Sequence, residues 1–302
     1  MSILVVGSTA LDSVETPFGK AREILGGSAV YFSIAASFFS DINLVACVGD
    51  DFPQEHIDFL TARNIDIRGL QRKDGKTFRW EGRYDSNLNE AHTLSTQLNV
   101  FEEFKPVIPE EYKSCEYVFL ANIDPDLQLD VLKQVRSPKL VACDTMNFWL
   151  ENKPNIVRKA VEKVDILIIN EAEARQFTSE NNLKRAAQKI ISMGPNTLIV
   201  KLGEYGALMF RESSTFFAPG YPLESILDPT GAGDSFAGGF MGHLSKTDDL
   251  NERFLRQAVI FGSVMASFNI EDFSLNRIRD LTYKDIECRY KKFKELTDFN
   301  DL

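Results

Sequence analysis

The chain has 302 residues, 44% of them apolar and 26% charged, with 11 prolines, which excludes intrinsic disorder and collagen-like repeats. Acidic residues (44) outnumber basic ones (34) for a formal net charge of −10. There is no Lys/Arg-rich block, so nucleic acid and anionic membrane are excluded as expected partners.

The N-terminus, Met1-Ser2-Ile3-Leu4-Val5-Val6-Gly7, lacks the basic start of a signal peptide and reads as a first strand. Further short, β-branched apolar runs follow at 43–48, 117–121, 140–143, 165–169 and 197–201, each suited to a strand covered on both faces. Segments of helical period lie between them, at 29–39, 53–63, 127–135, 155–164 and 183–193. Strand and helix in alternation predict an α/β fold, a three-layer sandwich with a mainly parallel central sheet. After residue 234 the pattern is helical at 235–244, 252–267 and 283–296, with a frayed end over 297–302.

One stretch breaks the alternation. Along 77–84, Phe78, Trp80 and Tyr84 share one face while Arg79, Glu81 and Arg83 share the other, the mark of a half-exposed antiparallel strand. Turn residues at 85–89 and renewed alternation at 93–100, with Leu94, Leu98 and Val100 on one parity, complete a hairpin. The segment 12–20 adds a further strand, held to an edge by Pro17. The expected organisation is one α/β domain over 1–302 with a small β lid built from 12–20 and 66–100. The apolar face of the hairpin needs cover, either from a substrate or from the same hairpin of a second chain in a homodimer.

Cys47, Cys115, Cys143 and Cys288 are widely spaced and form no CxxC pattern, so reduced thiols in a cytoplasmic protein are expected. No apolar run approaches the ~20 residues of a membrane helix. His56, His92 and His243 are isolated and lack metal-ligand spacing.

The chemistry concentrates in Asp228-Pro229-Thr230-Gly231-Ala232-Gly233-Asp234-Ser235, which runs into an apolar-periodic segment. Small residues at 231–233 bare the backbone at a helix start, where free N–H groups and the positive end of the dipole attract an anion. With no GxxxxGK[ST] in the chain, a P-loop is excluded. Asp234 at the end of this turn either takes a proton from a hydroxyl that attacks a bound phosphate or only caps the helix.

The segment 228–240 resembles the C-terminal signature of the ribokinase-like (PfkB) carbohydrate and nucleoside kinases. Gly26-Gly27-Ser28-Ala29 is similar to that family's di-glycine signature, and Gly7-Ser8 with Asp12 to its first strand and substrate aspartate. Asn170-Glu171-Ala172-Glu173 resembles its NxxE motif, and Lys201-Leu202-Gly203-Glu204-Tyr205-Gly206 its nucleotide-side glycine loop, with Lys201 where many members have threonine.

The resemblance implies an ATP- and magnesium-dependent kinase that phosphorylates a hydroxyl of a sugar, with a nucleoside such as adenosine as the alternative acceptor. Asp234 would be the base, with Gly231, Ala232 and Gly233 cradling the phosphoryl group. Asp12, Gly26, Gly27 and Asn122 would hold the acceptor, and Lys201, Gly203, Gly206 and Thr230 the nucleotide. Asn170 and Glu173 would hold magnesium through water, and Asp228 would lie beside an activating monovalent cation such as potassium. From the residues alone, Asp12 also reads as a turn aspartate closing the first strand, Gly26-Gly27 as a tight turn, and Glu173 as a helix-start acid favoured by the dipole. A sugar sensor without turnover and a nicotinamide oxidoreductase are weaker rivals, the first because Asp234 is present and the second because GxGxxG is missing.

Overall fold

The computed structural model describes residues 1–89 and 91–298. The elements in its first half are β1 (Ser2–Val6), β2 (Ala10–Thr16), β3 (Gly19–Gly26), α1 (Ser28–Ala36), β4 (Asp41–Gly49), α2 (Gln54–Ala62), β5 (Ile65–Lys73), β6 (Phe78–Tyr84), β7 (Ala91–Gln97), β8 (Tyr117–Leu120) and α3 (Pro125–Gln134). There follow β9 (Leu140–Asp144), α4 (Asn147–Asn152), α5 (Pro154–Val161), β10 (Ile166–Asn170), α6 (Glu171–Thr178), α7 (Leu183–Ile191) and β11 (Thr197–Lys201). The chain continues through β12 (Gly206–Arg211), β13 (Thr215–Pro219), α8 (Ala232–Thr247), α9 (Glu252–Asn269), α10 (Asn276–Arg279) and α11 (Tyr283–Thr297). Of the end expected to fray, residues 299–302 lie outside the described residues.

The apolar runs become the middle of a nine-stranded sheet of order β13-β12-β11-β10-β9-β8-β1-β4-β5. Every pairing from β11 to β5 is parallel, and β12 and β13 join antiparallel at one edge. Alternate residues of each strand feed opposite cores, which is why the runs are apolar throughout. Ile3, Val5, Ile166 and Ile168 pack with α1, α8 and α9 on one face, whereas Leu4, Val6, Leu167 and Ile169 pack with α3, α5 and α7 on the other. The result is the expected three-layer α/β sandwich.

The small sheet has the order β3-β2-β6-β7, with β2 parallel to β6 and the other pairs antiparallel. Its boundaries differ from those read in the sequence. It takes residues 10–26 and 78–97, while Ile65–Lys73 pairs with β4 at the edge of the large sheet. An edge strand is covered on one side only and so carries the same half-polar pattern as a lid strand. Pro17 marks the turn between β2 and β3, and β2 is an inner strand of its sheet. Leu94 and Leu98 are exposed, and the ladder is irregular between Glu81 and Gly82, which leaves Leu94 without a register partner.

The aromatic face of β6 is partly covered within the chain. Phe78 stacks on Phe101, which stacks on Phe104, and the Trp80 ring lies over Gly82 while its Nε1 donates to Thr93. Tyr84 is buried. Part of the face that suggested a homodimer through this sheet is thus covered within the chain, while Phe78 and Trp80 stay half-buried.

Candidate active site

Strand order reverses at β1, which lies between β8 and β4, so the carboxyl ends of the parallel strands border a crevice. Gly7 and Ser8 follow β1 and Asn122 follows β8, while Asp144, Asn170 and Lys201 end β9, β10 and β11.

One end of the crevice is built where β1, β3 and α1 meet. Gly27 has φ +97°, and a Cβ there would stand 2.6 Å from the Ser8 carbonyl, so glycine is required on both counts. Ser8 and Ser28 exchange hydrogen bonds, the Ser28 N–H donating to Ser8 Oγ at 3.0 Å and the Ser8 N–H to Ser28 Oγ at 3.2 Å. Asp12 does not close the first strand as the sequence suggested. It is the third residue of β2, and its carboxylate packs so tightly on Gly26 that a side chain at 26 would overlap it. Burial, then the field of Asp228, pushes its carboxyl up to about 7 against the pull of the Gly27 N–H. Asn122 joins this corner: its carbonyl accepts from Ser28 Oγ at 3.5 Å and its Oδ1 from Trp149 Nε1 at 3.1 Å.

The other end is the start of α8. Gly231, at φ +75°, is the N-cap and supplies no side-chain cap. The Tyr31 ring forms the floor beneath it, leaving no space for a Cβ. The Ala232 N–H is engaged by the Pro229 carbonyl at 3.2 Å, so Ala232 does not supply the free donor expected of it. Gly231, Gly233 and Asp234 keep N–H groups with no backbone carbonyl partner among the described residues. Asn269 at the end of α9 pins the turn, with its Nδ2 donating to the Thr230 carbonyl at 2.7 Å and its Oδ1 accepting from Ser235 Oγ at 3.1 Å. Thr230 Oγ1 bonds Tyr84 Oη of the small sheet at 3.3 Å. Asp228 is fully buried, its two oxygens accepting from the N–H groups of Thr230 (2.9 Å) and Ser274 (3.2 Å).

Between these ends lies a cluster of charge. Lys201 Nζ is 3.5 Å from Asp144 Oδ2. Burial pulls the lysine down, but Asp144, Glu173 and Asp234 together hold it above its ordinary range, so it stays an ammonium. Burial raises Asp234 well above the usual carboxylate range, with Asp144 and Asp12 adding to it and Lys201 opposing. Burial, opposed by Lys201 and assisted by Asp144, takes Glu173 to about 7.

Glu173 and Asn170 form a capping box at the start of α6: Asn170 Oδ1 accepts from the Glu173 N–H and Glu173 Oε2 from the Asn170 N–H, both at 2.8 Å. Each side chain thus accepts one N–H of the box, and Glu173 lies within the field of Lys201 and Asp144. In the glycine loop, Gly203 and Gly206 shape the turn from β11 to β12, and Gly203 abuts the Asn89 side chain from the turn of the small sheet.

Asp144, Asn269, Tyr31 and Trp149 were not singled out as site residues in the sequence. Asp144 had a signal: it is a carboxylate directly after the apolar run 140–143, the same strand-end placement that drew attention to Asp12.

A parallel α/β sheet with an uncapped glycine turn, a raised carboxylate beside it and a lysine at the neighbouring strand end defines a phosphotransferase of the small-molecule kinase type. The comparisons with known proteins agree: the pfkB family carbohydrate kinase description matches residues 3–279, and the chain belongs to that family. It is 30% identical over 261 residues to a cytidine kinase of Thermococcus kodakarensis, covering 83% of this chain and 91% of that one. It is 24% identical to a nucleoside kinase of Methanocaldococcus jannaschii, over 89% and 90% of the two chains. A crystal structure from E. coli that holds ATP and Mg2+ superposes with TM-score 0.80 at 17% identity, over 96% of this chain and 99% of that one.

Proposed function

We propose that the chain transfers the γ-phosphoryl group of ATP to a hydroxyl of a nucleoside. The observation that carries the acceptor class is that Asp12 and Trp80 are register partners across β2 and β6, placing a carboxylate and a half-buried indole on one face of the small sheet. The carboxylate suits ribose hydroxyls and the indole a base. The relatives matched over most of their length are named for nucleosides.

Asp234 takes the proton from the attacking hydroxyl, and burial, which raises its carboxyl above the usual carboxylate range, makes it a stronger base. The N–H groups of Gly231, Gly233 and Asp234 face the charge that develops on the transferring group. Gly26, Gly27 and Asn122 fix the acceptor beside Asp12, while Gly203, Gly206 and Thr230 border the nucleotide. Asp144 and Glu173 offer hard carboxylate oxygens that fit magnesium. Among the described residues no three His, Cys, Asp or Glu side chains converge as a metal cage, so the ion would keep much of its water shell. Held there, magnesium would supply neutralisation of the phosphate charge. The monovalent-cation reading of Asp228 is tested by comparing rates in potassium and in a bulky organic cation, since both carboxylate oxygens already accept N–H groups.

A free sugar is the second reading, favoured by Phe78, whose stacking on Phe101 leaves less aromatic surface for a base. Incubating the enzyme with labelled ATP and a panel of nucleosides and free pentoses tests the choice. We expect kcat/KM for at least one nucleoside to exceed that for every free sugar; a free pentose as best substrate would overturn the nucleoside reading.

A further inference from the structure

We propose that Lys201 is a catalytic residue whose ammonium contacts the γ-phosphoryl group of ATP, separate from the part of the glycine loop that borders the rest of the nucleotide. The inference rests on the reading of ATP as phosphoryl donor and concerns which end of it this side chain meets.

Three placements lead to it. Lys201 ends β11 in register with Asn170, the last residue of β10, so the strand delivers its side chain to the cluster of Asp144 and Glu173. Its Nζ then reaches across to α8: a Cβ on Gly233 would lie 2.8 Å from it, which puts the ammonium against the first turn of that helix, beside N–H groups with no backbone partner. The only hydrogen bond that Nζ makes among the described residues is the 3.5 Å contact with Asp144, at the long limit of such bonds.

A lysine ammonium has three donors and no acceptor, and leaving them unmatched in a crevice is costly. Here the side chain is 19% exposed. An anion resting on the α8 turn would meet these donors and the helix N–H groups together. That anion is the group next to Asp234, hence the phosphoryl being transferred. The ammonium keeps its proton throughout, since Asp234 receives the one from the hydroxyl. In the absence of nucleotide the same ammonium offsets the charge of Asp144, Glu173 and Asp234, and Gly233 is small so that it can reach them.

A γ-phosphoryl contact separates ATP from ADP, which a merely structural lysine would not do. Calorimetry of Lys201→Met at fixed magnesium and salt should show a non-hydrolysable ATP analogue binding roughly 10- to 100-fold more weakly, the range for a charged hydrogen bond. ADP should change by less than about threefold. Lys201→Arg keeps a positive charge beside the carboxylates, guarding against loss of folding, and should restore part of the preference for the analogue over ADP. An unchanged analogue-to-ADP ratio in a folded variant would overturn the proposal. Failure of the wild type to bind the analogue would instead overturn the choice of ATP.

Discussion

Where β1, β3 and α1 meet, several polar groups are already paired: Ser8 and Ser28 bond each other, Trp149 holds the Asn122 carboxamide, and the Gly27 N–H meets Asp12, although the buried Thr9 Oγ1 has no partner among the described residues. At the phosphoryl end, three carboxylates share one ammonium through a single long ion pair, and N–H groups of the α8 turn have no carbonyl partner among the described residues. The first end is preorganised for a neutral ligand with hydroxyls. On the proposed function, a polyphosphate with its magnesium would complete the second end electrostatically, concentrating binding energy where charge changes during the reaction.

Among changes away from Asp234, the largest effect is expected from Asp12→Ala. Losing charged hydrogen bonds to the acceptor should lower its kcat/KM by about 10²-fold. ATP affinity measured by calorimetry should hold; equal loss for both substrates would erase the distinction between the ends. Glu173→Gln comes next. An amide oxygen can still cap α6, so folding should persist, while the magnesium concentration for half-maximal rate rises by roughly tenfold and acceptor KM stays put. A change in acceptor KM alone would break the assignment of Glu173 to the phosphoryl end. Trp149→Phe removes only the indole donor to Asn122 and should raise acceptor KM about threefold without altering kcat, a small loss typical of one neutral hydrogen bond.

Stability against pH probes the buried carboxyl of Asp12. The Asp12 carboxyl rises from an ordinary 3.8 to about 7 in the fold, so the folded protein holds a proton that the unfolded chain releases. Its contribution to stability is complete below pH ~4 and is lost as pH rises through ~7. Thermal melts of Asp12→Asn and wild type should diverge from pH 5 to pH 8 in favour of the variant. A constant difference in melting temperature would show that Asp12 is not held protonated by burial.

Much of this molecule can be read from its residues, unevenly and for physical reasons. The inner strands were legible because burial on both faces imposes unbroken apolar runs, as at 3–7 and 165–169. Edge strands were not: Ile65–Lys73 alternates like a lid strand, and Gly206–Arg211 with Thr215–Pro219 went unassigned. In the site, the glycine turn at 231–233 was visible because it is contiguous. Asp144 and Lys201 lie 57 positions apart and meet only because β9, β10 and β11 are neighbours in the sheet. Asn269 was hidden for the same reason, since its partners Thr230 and Ser235 belong to the preceding helix and its approach.

On the proposed mechanism Asp234 removes the proton from the attacking hydroxyl at the incomplete end of the crevice. The most direct measurement is steady-state turnover of Asp234→Asn alongside calorimetric binding of the ATP analogue and of the acceptor. Turnover should fall by ~10²- to 10⁴-fold, the range for loss of a general base, with both ligands bound within a few-fold of wild type. Turnover within about tenfold of wild type would contradict it and leave Asp234 as the acid of a helix start.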